Sequence, residues 1–468
     1  MKKTKIICSI GPSSCDYNVM AEMVRNGMNV ARINFSHATE EEKQNVVASV
    51  KKVREITGEN VAILYDTKGP EFRNGILEND QINLVEGNII RVVKDNVVGN
   101  EERFTVNHPK AIDSISVGNT ILLENGLMSM EVISKEEDGI TCKITSGGVL
   151  GNKKSLSVPG VHLDMPFISE QDREDIIYAC EHEGDFLALS FVSTKEDVLS
   201  ARELLKECNR EDMKIIAKIE STTGVKNLEE IASVVDGIMV ARGDLGVEAA
   251  MEDLPILQKK IIECCRRNGK FCIVATEMLE SMKKNMRPTR AEVSDVANAV
   301  LNGTDAVMLS GETTMGKFPI ETVKYMAKIC ENTEKYLDST INTNYVNKTV
   351  EGVIATNVVE TVNLLDVKVI AATTISGATA SLISNLRPNC LILATCPNEV
   401  VARSLALNFG VYPIVTDLFD STDQIVRDAK EKAIKHMNLK ENDIILITGG
   451  FYENNQKGKT NFLKIERI

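Results

Sequence analysis

The chain has 468 residues, 43% of them hydrophobic, and a formal net charge of -13. That length leads one to expect roughly two to four domains with sizeable cores. The acidic balance argues against a nucleic-acid or membrane-surface partner, although it leaves anionic small substrates open, because local charge and metal ions decide those.

The eleven cysteines show no paired-ligand spacing. An odd, unpatterned set reads as thiols of a reducing compartment, not as a disulfide framework or a zinc site. The opening MKKTKIICSIGPSS runs directly into a strand. Its apolar run is too short for a signal peptide, and no run reaches transmembrane length, so a cytoplasmic location is expected.

In chain order, an apolar strand over 5–10 stops at Gly11-Pro12, and a helix over 17–26 ends at Gly27. A second strand, 29–33, carries Arg32 near its end and is followed by Asn34, Ser36 and His37. A helix over 40–57 stops at Gly58. A third strand, 61–65, ends in Asp66, Thr67, Lys68, Gly69 and Pro70. Alternating strands and helices with polar strand ends are the pattern of a parallel sheet.

From Glu71 to about Pro166 the helical period disappears. Short alternating stretches replace it at 81–84, 89–93, 103–106, 120–123, 128–134 and 140–144, punctuated by Gly and Asn. This predicts a small antiparallel β-domain inserted after the third strand.

The βα rhythm resumes at Ser169, an N-cap candidate. Strands are predicted at 186–191, 214–219, 237–241, 271–275 and 305–309. Helices lie over 170–180, 196–207, 224–234, 254–267, 289–301 and 321–336. Without the insert this makes eight βα units over about 240 residues, the size of a (β/α)8 barrel, whose active site lies at the C-terminal strand ends. A polar hinge follows Leu337. The remainder predicts a third α/β unit, with strands at 368–374, 391–395, 412–415, 443–448 and 461–465 and helices at 378–385, 399–406 and 422–436. The expected division is 1–70 and 166–337 for the barrel, 71–165 for the insert and 338–468 for the C-terminal domain.

The stretch 215–246 carries the densest chemistry. Lys218 and Glu220 are two apart and share one face of a strand. The next strand ends in Arg242, Gly243 and Asp244. Two carboxylates with room for water and a phosphate suit Mg2+. A neighbouring Lys supplies a compact positive charge for a moving phosphoryl group. Gly243 lets backbone N–H groups approach an anion. The same side chains also read as plain ion pairs, Lys218 with Glu220 and Arg242 with Asp244. Thr276, Ser310 and Glu312 stand at later strand ends. Met278, Met282 and Met286 fall at helical spacing and read as packing. His108, His162, His182 and His436 show no ligand spacing.

Over its whole length the chain resembles pyruvate kinases. The matching motifs are TKIICSIGPSS (4–14), ARINFSH (31–37), DTKGPEFR (66–73), KIE (218–220), DGIMVARGDLG (236–246), ATEMLESM (275–282), RPTRAEVSDVANAVLNGTDAVMLSGET (287–313) and LALNFGVYPI (405–414). The resemblance implies a (β/α)8 TIM barrel with an inserted small β-barrel lid domain and a C-terminal α/β domain. It implies transfer of the phosphoryl group of phosphoenolpyruvate to ADP, giving ATP and pyruvate.

By the same resemblance, Glu220 and Asp244 hold Mg2+ (or Mn2+), and a second ion arrives with the nucleotide. Lys218 and Arg32 face the phosphoryl group. The backbone of Gly243 and Asp244 and the Thr276 hydroxyl take the substrate carboxylate. Thr276, Ser310 and Glu312 are candidates for a proton relay. Asn34, Ser36, Asp66 and Thr67 form a K+ site. His37, Arg73, Asn34 and the insert's Lys154 face the nucleotide.

Glu71 follows DTKGP, where the family pairs Glu with K+ dependence and Lys with independence. The turn carrying Thr374, Ser376, Gly377 and Thr379, with Lys457 and Lys459 in the last loop to close on it, suits a phosphate at a helix N-terminus and reads equally as an ordinary N-capped helix. The resemblance implies a phosphorylated effector and a homotetramer. The sequence departs from the family pattern at Ala38, Ser155, Ser221, Glu277 and Thr314, without removing a metal ligand or Lys218. Two other readings are a catalytically weak paralogue acting as a metabolite-binding protein, and another barrel enzyme handling an enolate through Mg2+.

Overall fold

The computed structural model describes residues 1–338, 345–346, 348–419, 421–450 and 460–468. Eight parallel strands close into a barrel: β1 (Lys5–Ser9), β2 (Val30–Asn34) and β3 (Ala62–Asp66) before the insert, and five after it.

The insert contributes β4 (Gln81–Leu84), β5 (Ile89–Val93), β6 (Arg103–Thr105), β7 (Thr120–Leu123), β8 (Met128–Glu136), β9 (Gly139–Ser146), β10 (Gly148–Gly151) and β11 (Leu156–Ser157). They form a six-stranded sheet and a two-stranded sheet. The small barrel expected here takes the form of these two sheets about one shared core, which includes Ile82 and Leu150 from one and Phe104 and Met130 from the other. Pairing is antiparallel as expected, except that β5 and β6 run parallel.

The barrel continues with β12 (Phe186–Leu189), β13 (Lys214–Ile219), β14 (Gly237–Ala241), β15 (Phe271–Ala275) and β16 (Ala306–Leu309). β16 closes on β1. Period-two alternation splits each strand between two apolar layers. One layer includes Ile6, Ile63, Ile215, Ala217 and Val240 and packs under the helices. The other fills the lumen with Ile7, Val30, Leu64, Ala188, Ile216, Met239, Ile273 and Met308. Two residues beyond these lumen positions, the same alternation brings Ser9, Arg32, Asp66, Ser190 and Lys218 to the top layer. The barrel interior thus passes from a dry floor to a charged mouth within one strand repeat.

The C-terminal domain is a sheet of β17 (Val369–Thr373), β18 (Leu391–Cys396), β19 (Val411–Val415), β20 (Ile444–Gly449) and antiparallel β21 (Phe462–Arg467), in the order β19-β18-β17-β20-β21. Its Ala406-Leu407 segment enters the lower lumen of the barrel and joins that apolar cluster. Buried ion pairs frame the plug. Arg387 Nη1 lies 2.9 Å from Asp305 at the foot of β16, and Arg403 Nε lies 2.8 Å from Asp185 beside β12. The Lys5 ammonium donates to the Val411 carbonyl at 2.5 Å.

Three expectations change. The helix expected over 224–234 is two, Thr222–Lys226 and Leu228–Val234, broken at Asn227, whose amide donates to the Ser193 carbonyl at 2.8 Å. A helix at Val350–Leu365 was hidden by its Val, Thr and Asn content and by the polar hinge before it. Its buried face, Ala355, Val358, Val359 and Val362, has helical spacing. Met278 and Met282 are buried as packing, but Met286 is exposed and the segment between forms only a short 3-10 turn. None of the described helices is long and apolar enough to cross a membrane.

Candidate active site

Lys218 is the hub of the barrel mouth. Its ammonium donates to Ser190 Oγ at 2.6 Å and lies 3.1 Å from Asp66 Oδ1 and 3.0 Å from Glu220 Oε1. Asp66 is fully buried and is clasped from its other side by Arg32, whose Nε donates to Oδ2 at 2.7 Å. Arg32 Nη1 reaches the Ser9 hydroxyl at 2.7 Å. Burial pushes the Asp66 carboxyl up, but the Lys218 and Arg32 charges outweigh it and hold the group below its ordinary value. Burial likewise pulls the Lys218 ammonium down, yet Asp66 and Glu220 keep it raised. Lys218 is therefore a fixed, charged, largely desolvated cation.

Glu220 is held differently. One oxygen faces Lys218, and the other accepts the Phe191 N–H at 2.6 Å. Phe191 reaches this position with φ +58, a left-handed conformation unusual for a bulky residue. Burial pushes the Glu220 carboxyl up to about 7; Lys218 opposes this and the nearby Asp244 charge adds to it. Asp244 is exposed on the first turn of a short helix, Arg242–Glu248. Two hard oxygen donors, one buried and one open to the mouth, fit a divalent cation that completes its shell with substrate and water. No set of three or more His, Cys, Asp or Glu side chains among the described residues forms a closed metal cage.

Of the two plain ion pairs foreseen, only Lys218–Glu220 forms. Arg242 instead pairs with Asp295 at 2.7 Å and donates to the Ala275 and Thr276 carbonyls. It thereby braces the end of β15 and leaves Asp244 unclaimed by it. Thr276 and Glu277 follow with φ +70 and +53, and a β-branched residue in this region is strained. That turn brings the Thr276 hydroxyl to the Gly243 N–H at 2.9 Å. Both groups can donate to an anion, and a carboxylate arriving there would exchange this contact for its own.

Glu312 is buried with both oxygens occupied: Oε1 accepts from the Leu279 N–H at 3.0 Å and Oε2 from the Ser310 N–H at 2.7 Å. It ties the loops after β15 and β16 together and sets the place of Ser310.

Residues 1–323 match the family model for the pyruvate kinase barrel domain, and residues 352–466 match the model for the pyruvate kinase alpha/beta domain. The chain is 43% identical to a pyruvate kinase of Geobacillus stearothermophilus over its whole length and 80% of the relative's. It is 40% identical to one of Clostridium perfringens over the whole of both chains. The chain belongs to the pyruvate kinase family. A crystal structure of a pyruvate kinase from Cryptosporidium parvum superposes with a TM-score of 0.93 at 36% identity, covering 100% of this chain and 96% of that one.

The remaining residues singled out by resemblance to pyruvate kinases fall into three groups. Asn34 and Asp66 are register partners at the ends of β2 and β3. Asn34 Oδ1 accepts the Ser36 N–H at 3.1 Å, and Ser36 and His37 are exposed beside them. The Thr67 carbonyl accepts the Ser190 hydroxyl at 2.7 Å.

In the second group, Glu71 is clasped by Arg73 and by Lys68, the latter at 2.9 Å, while Arg73 also donates to the Lys153 carbonyl at 2.6 Å. Lys154 pairs at 2.6 Å with Glu124 inside the insert.

The third group lies in the C-terminal domain. The Gly377 N–H donates to Thr374 Oγ1 at 3.0 Å, Thr379 and Thr460 hydroxyls meet at 2.6 Å, and Ser376 is exposed. Lys457 and Lys459 lie outside the described residues. Of the departures from the family pattern, Ser221 has a clear local role: its hydroxyl accepts the Gly224 N–H at 3.0 Å and caps the following helix, as an Asn would.

Ser190 was not anticipated. It lies inside the apolar run predicted as a strand over 186–191, and its place two residues after the lumen-facing Ala188 is the signal that marks it.

Proposed function

We infer that the chain works as its family does: it is a phosphotransferase that moves the phosphoryl group of phosphoenolpyruvate to ADP, giving ATP and pyruvate. The observation that carries this reading is the desolvated Lys218 ammonium fixed at the barrel mouth beside Asp66 and Glu220.

Phosphoryl transfer leaves a protein little covalent work; position and charge do most of it. Lys218 and Arg32 present two cations to the moving phosphoryl group. The Gly243 and Asp244 backbone and the Thr276 hydroxyl orient the carboxylate. Glu220 and Asp244 would hold Mg2+, which when bound neutralises charge on the substrate oxygens. Departure of the phosphoryl group leaves an enolate that takes a proton at carbon, with the Thr276 and Ser310 hydroxyls the side chains assigned to that relay. Glu312 holds Ser310 in place.

Asn34, Ser36, Asp66 and the Thr67 carbonyl are the assigned K+ donors, all of them oxygen. Glu71 supplies no cation there, so the ion does. His37, Arg73 and Lys154 are assigned to the nucleotide. The residues of a weak, metabolite-binding paralogue would be expected to have lost Lys218, Glu220, Asp244 or Thr276, and this chain has all four.

We assign a phosphorylated effector to the Thr374–Thr379 turn of a homotetramer. A panel of sugar phosphates and nucleoside monophosphates that left phosphoenolpyruvate saturation unchanged would remove that assignment. The transfer itself is tested by following pyruvate with lactate dehydrogenase. Turnover should need ADP and a divalent cation, and consumption of phosphoenolpyruvate without ADP would point to different chemistry.

A further inference from the structure

We propose that Ser190 is a positioning residue for Lys218, its hydroxyl joining the ammonium to the Thr67 carbonyl in one hydrogen-bonded line. This rests on the phosphoryl-transfer reading above.

Ser190 is 3% exposed and lies at the end of β12. Lys218 Nζ donates to its Oγ at 2.6 Å, and the hydroxyl proton goes to the Thr67 carbonyl at 2.7 Å. Asp66 Oδ1, at 3.3 Å, is the weaker alternative for that single proton. The backbone laces the same two strand ends: the Ser190 N–H donates to Thr67 Oγ1 at 3.2 Å, and the Thr67 N–H to the Ala188 carbonyl at 2.9 Å. Gly69, at φ +76, packs so closely that a Cβ there would stand 2.8 Å from the Ser190 Cβ. Ser190 is therefore held through its backbone as well as through its side chain.

The Lys218 ammonium has three donors and three acceptors, namely Asp66, Glu220 and Ser190. The two carboxylates are assigned to cations, and a cation on either one weakens that carboxylate's hold on the ammonium. Ser190 is the neutral acceptor, and its hold does not fall in that way. Charge-assisted donation from Lys218 also polarises the Ser190 hydroxyl toward the Thr67 carbonyl. Because that carbonyl is an assigned K+ donor, the position of Lys218 and the affinity for K+ should change together when Ser190 is altered.

The test compares full-length wild type, Ser190→Ala and Ser190→Cys. Steady-state rates are measured against phosphoenolpyruvate and K+. Calorimetry follows phosphoenolpyruvate binding with Mg2+ and no ADP, and melting temperatures are taken with and without K+. Ser190→Ala should lose roughly 10- to 100-fold in kcat, the usual cost of removing an outer-shell partner. KM and calorimetric affinity should stay within about threefold, since the effect lies in the transition state. With the hydroxyl that fixes the Thr67 carbonyl in place removed, its half-saturating K+ concentration should rise, and K+ should raise its melting temperature less than that of wild type. Ser190→Cys keeps the shape with a larger atom that is a weak donor and a weak acceptor, and should fall between the two.

A kcat for Ser190→Ala within about threefold of wild type overturns the proposal. So does a loss matched by equal losses in melting temperature and substrate binding, which would mean that Ser190 only packs. An inactive wild type is a separate result: it removes the transfer reading first and this proposal with it.

Discussion

Replacing Lys218 with Met deletes the ammonium but keeps most of the apolar stem. Its chemical cost follows from the burial. A preorganised charge aimed at developing negative charge in a dry site contributes about 2.7–4 kcal/mol, or about 100- to 1,000-fold in kcat. Lys218 touches two buried carboxylates and a hydroxyl, so the upper part of that range is expected.

The folding cost is separate. Breaking a buried ion pair costs about 3–5 kcal/mol when the partner charge is stranded. Here neither partner is stranded. Asp66 keeps Arg32 at 2.7 Å, and Glu220 keeps the Phe191 N–H at 2.6 Å and stays available to its assigned Mg2+. The variant should therefore fold, bind phosphoenolpyruvate with Mg2+ in calorimetry, and turn over some thousandfold slower in the coupled assay. A folded variant retaining about a tenth or more of wild-type kcat would refute the role given to Lys218.

Four further outcomes are expected. Wild type should be nearly inactive in tetramethylammonium buffer and be restored by K+. Glu71→Lys should recover only part of the K+-free rate, because the new ammonium joins Lys68 and Arg73; full wild-type activity without K+ would show the reading of Glu71 to be wrong. Leu407→Ala, which empties the plug in the lower lumen, should cost about 2–5 kcal/mol in denaturant unfolding, and a loss below about 1 kcal/mol would mean that the plug is not a packed core element. Distance labels across the insert and barrel mouth should shorten on adding Mg2+, ADP and a non-reacting substrate analogue, with rotation at Pro70 and at residues 158–160; unchanged distances at saturation would count against a lid.

Much of this was legible in the sequence because the barrel has strong internal rules. Buried parallel strands read as short apolar runs, and the period of two places Lys218 and Glu220 on one side, where they meet at 3.0 Å. What was not legible depended on contacts between distant strand ends. Arg242 and Asp244 look like a pair in one dimension, but Asp295, 53 residues away, claims the arginine. Glu312 carries a carboxylate typical of a catalytic group, yet two backbone N–H groups occupy it. Ser190 looks like one polar interruption of a strand until β3 and β13 bring Thr67 and Lys218 to it. The helix at Val350–Leu365 was missed for a different reason: its β-branched residues weaken helical propensity, and tertiary packing of its buried face overrides that.

Phosphoryl transfer to ADP is settled by a phosphoryl balance. Phosphoenolpyruvate, ADP, Mg2+ and K+ are incubated with the full chain, and pyruvate and ATP are counted in the same samples. Equal amounts of both products are expected, with neither appearing when ADP or the divalent cation is left out. Pyruvate released without matching ATP, or phosphoenolpyruvate consumed at the same rate without ADP, would contradict it.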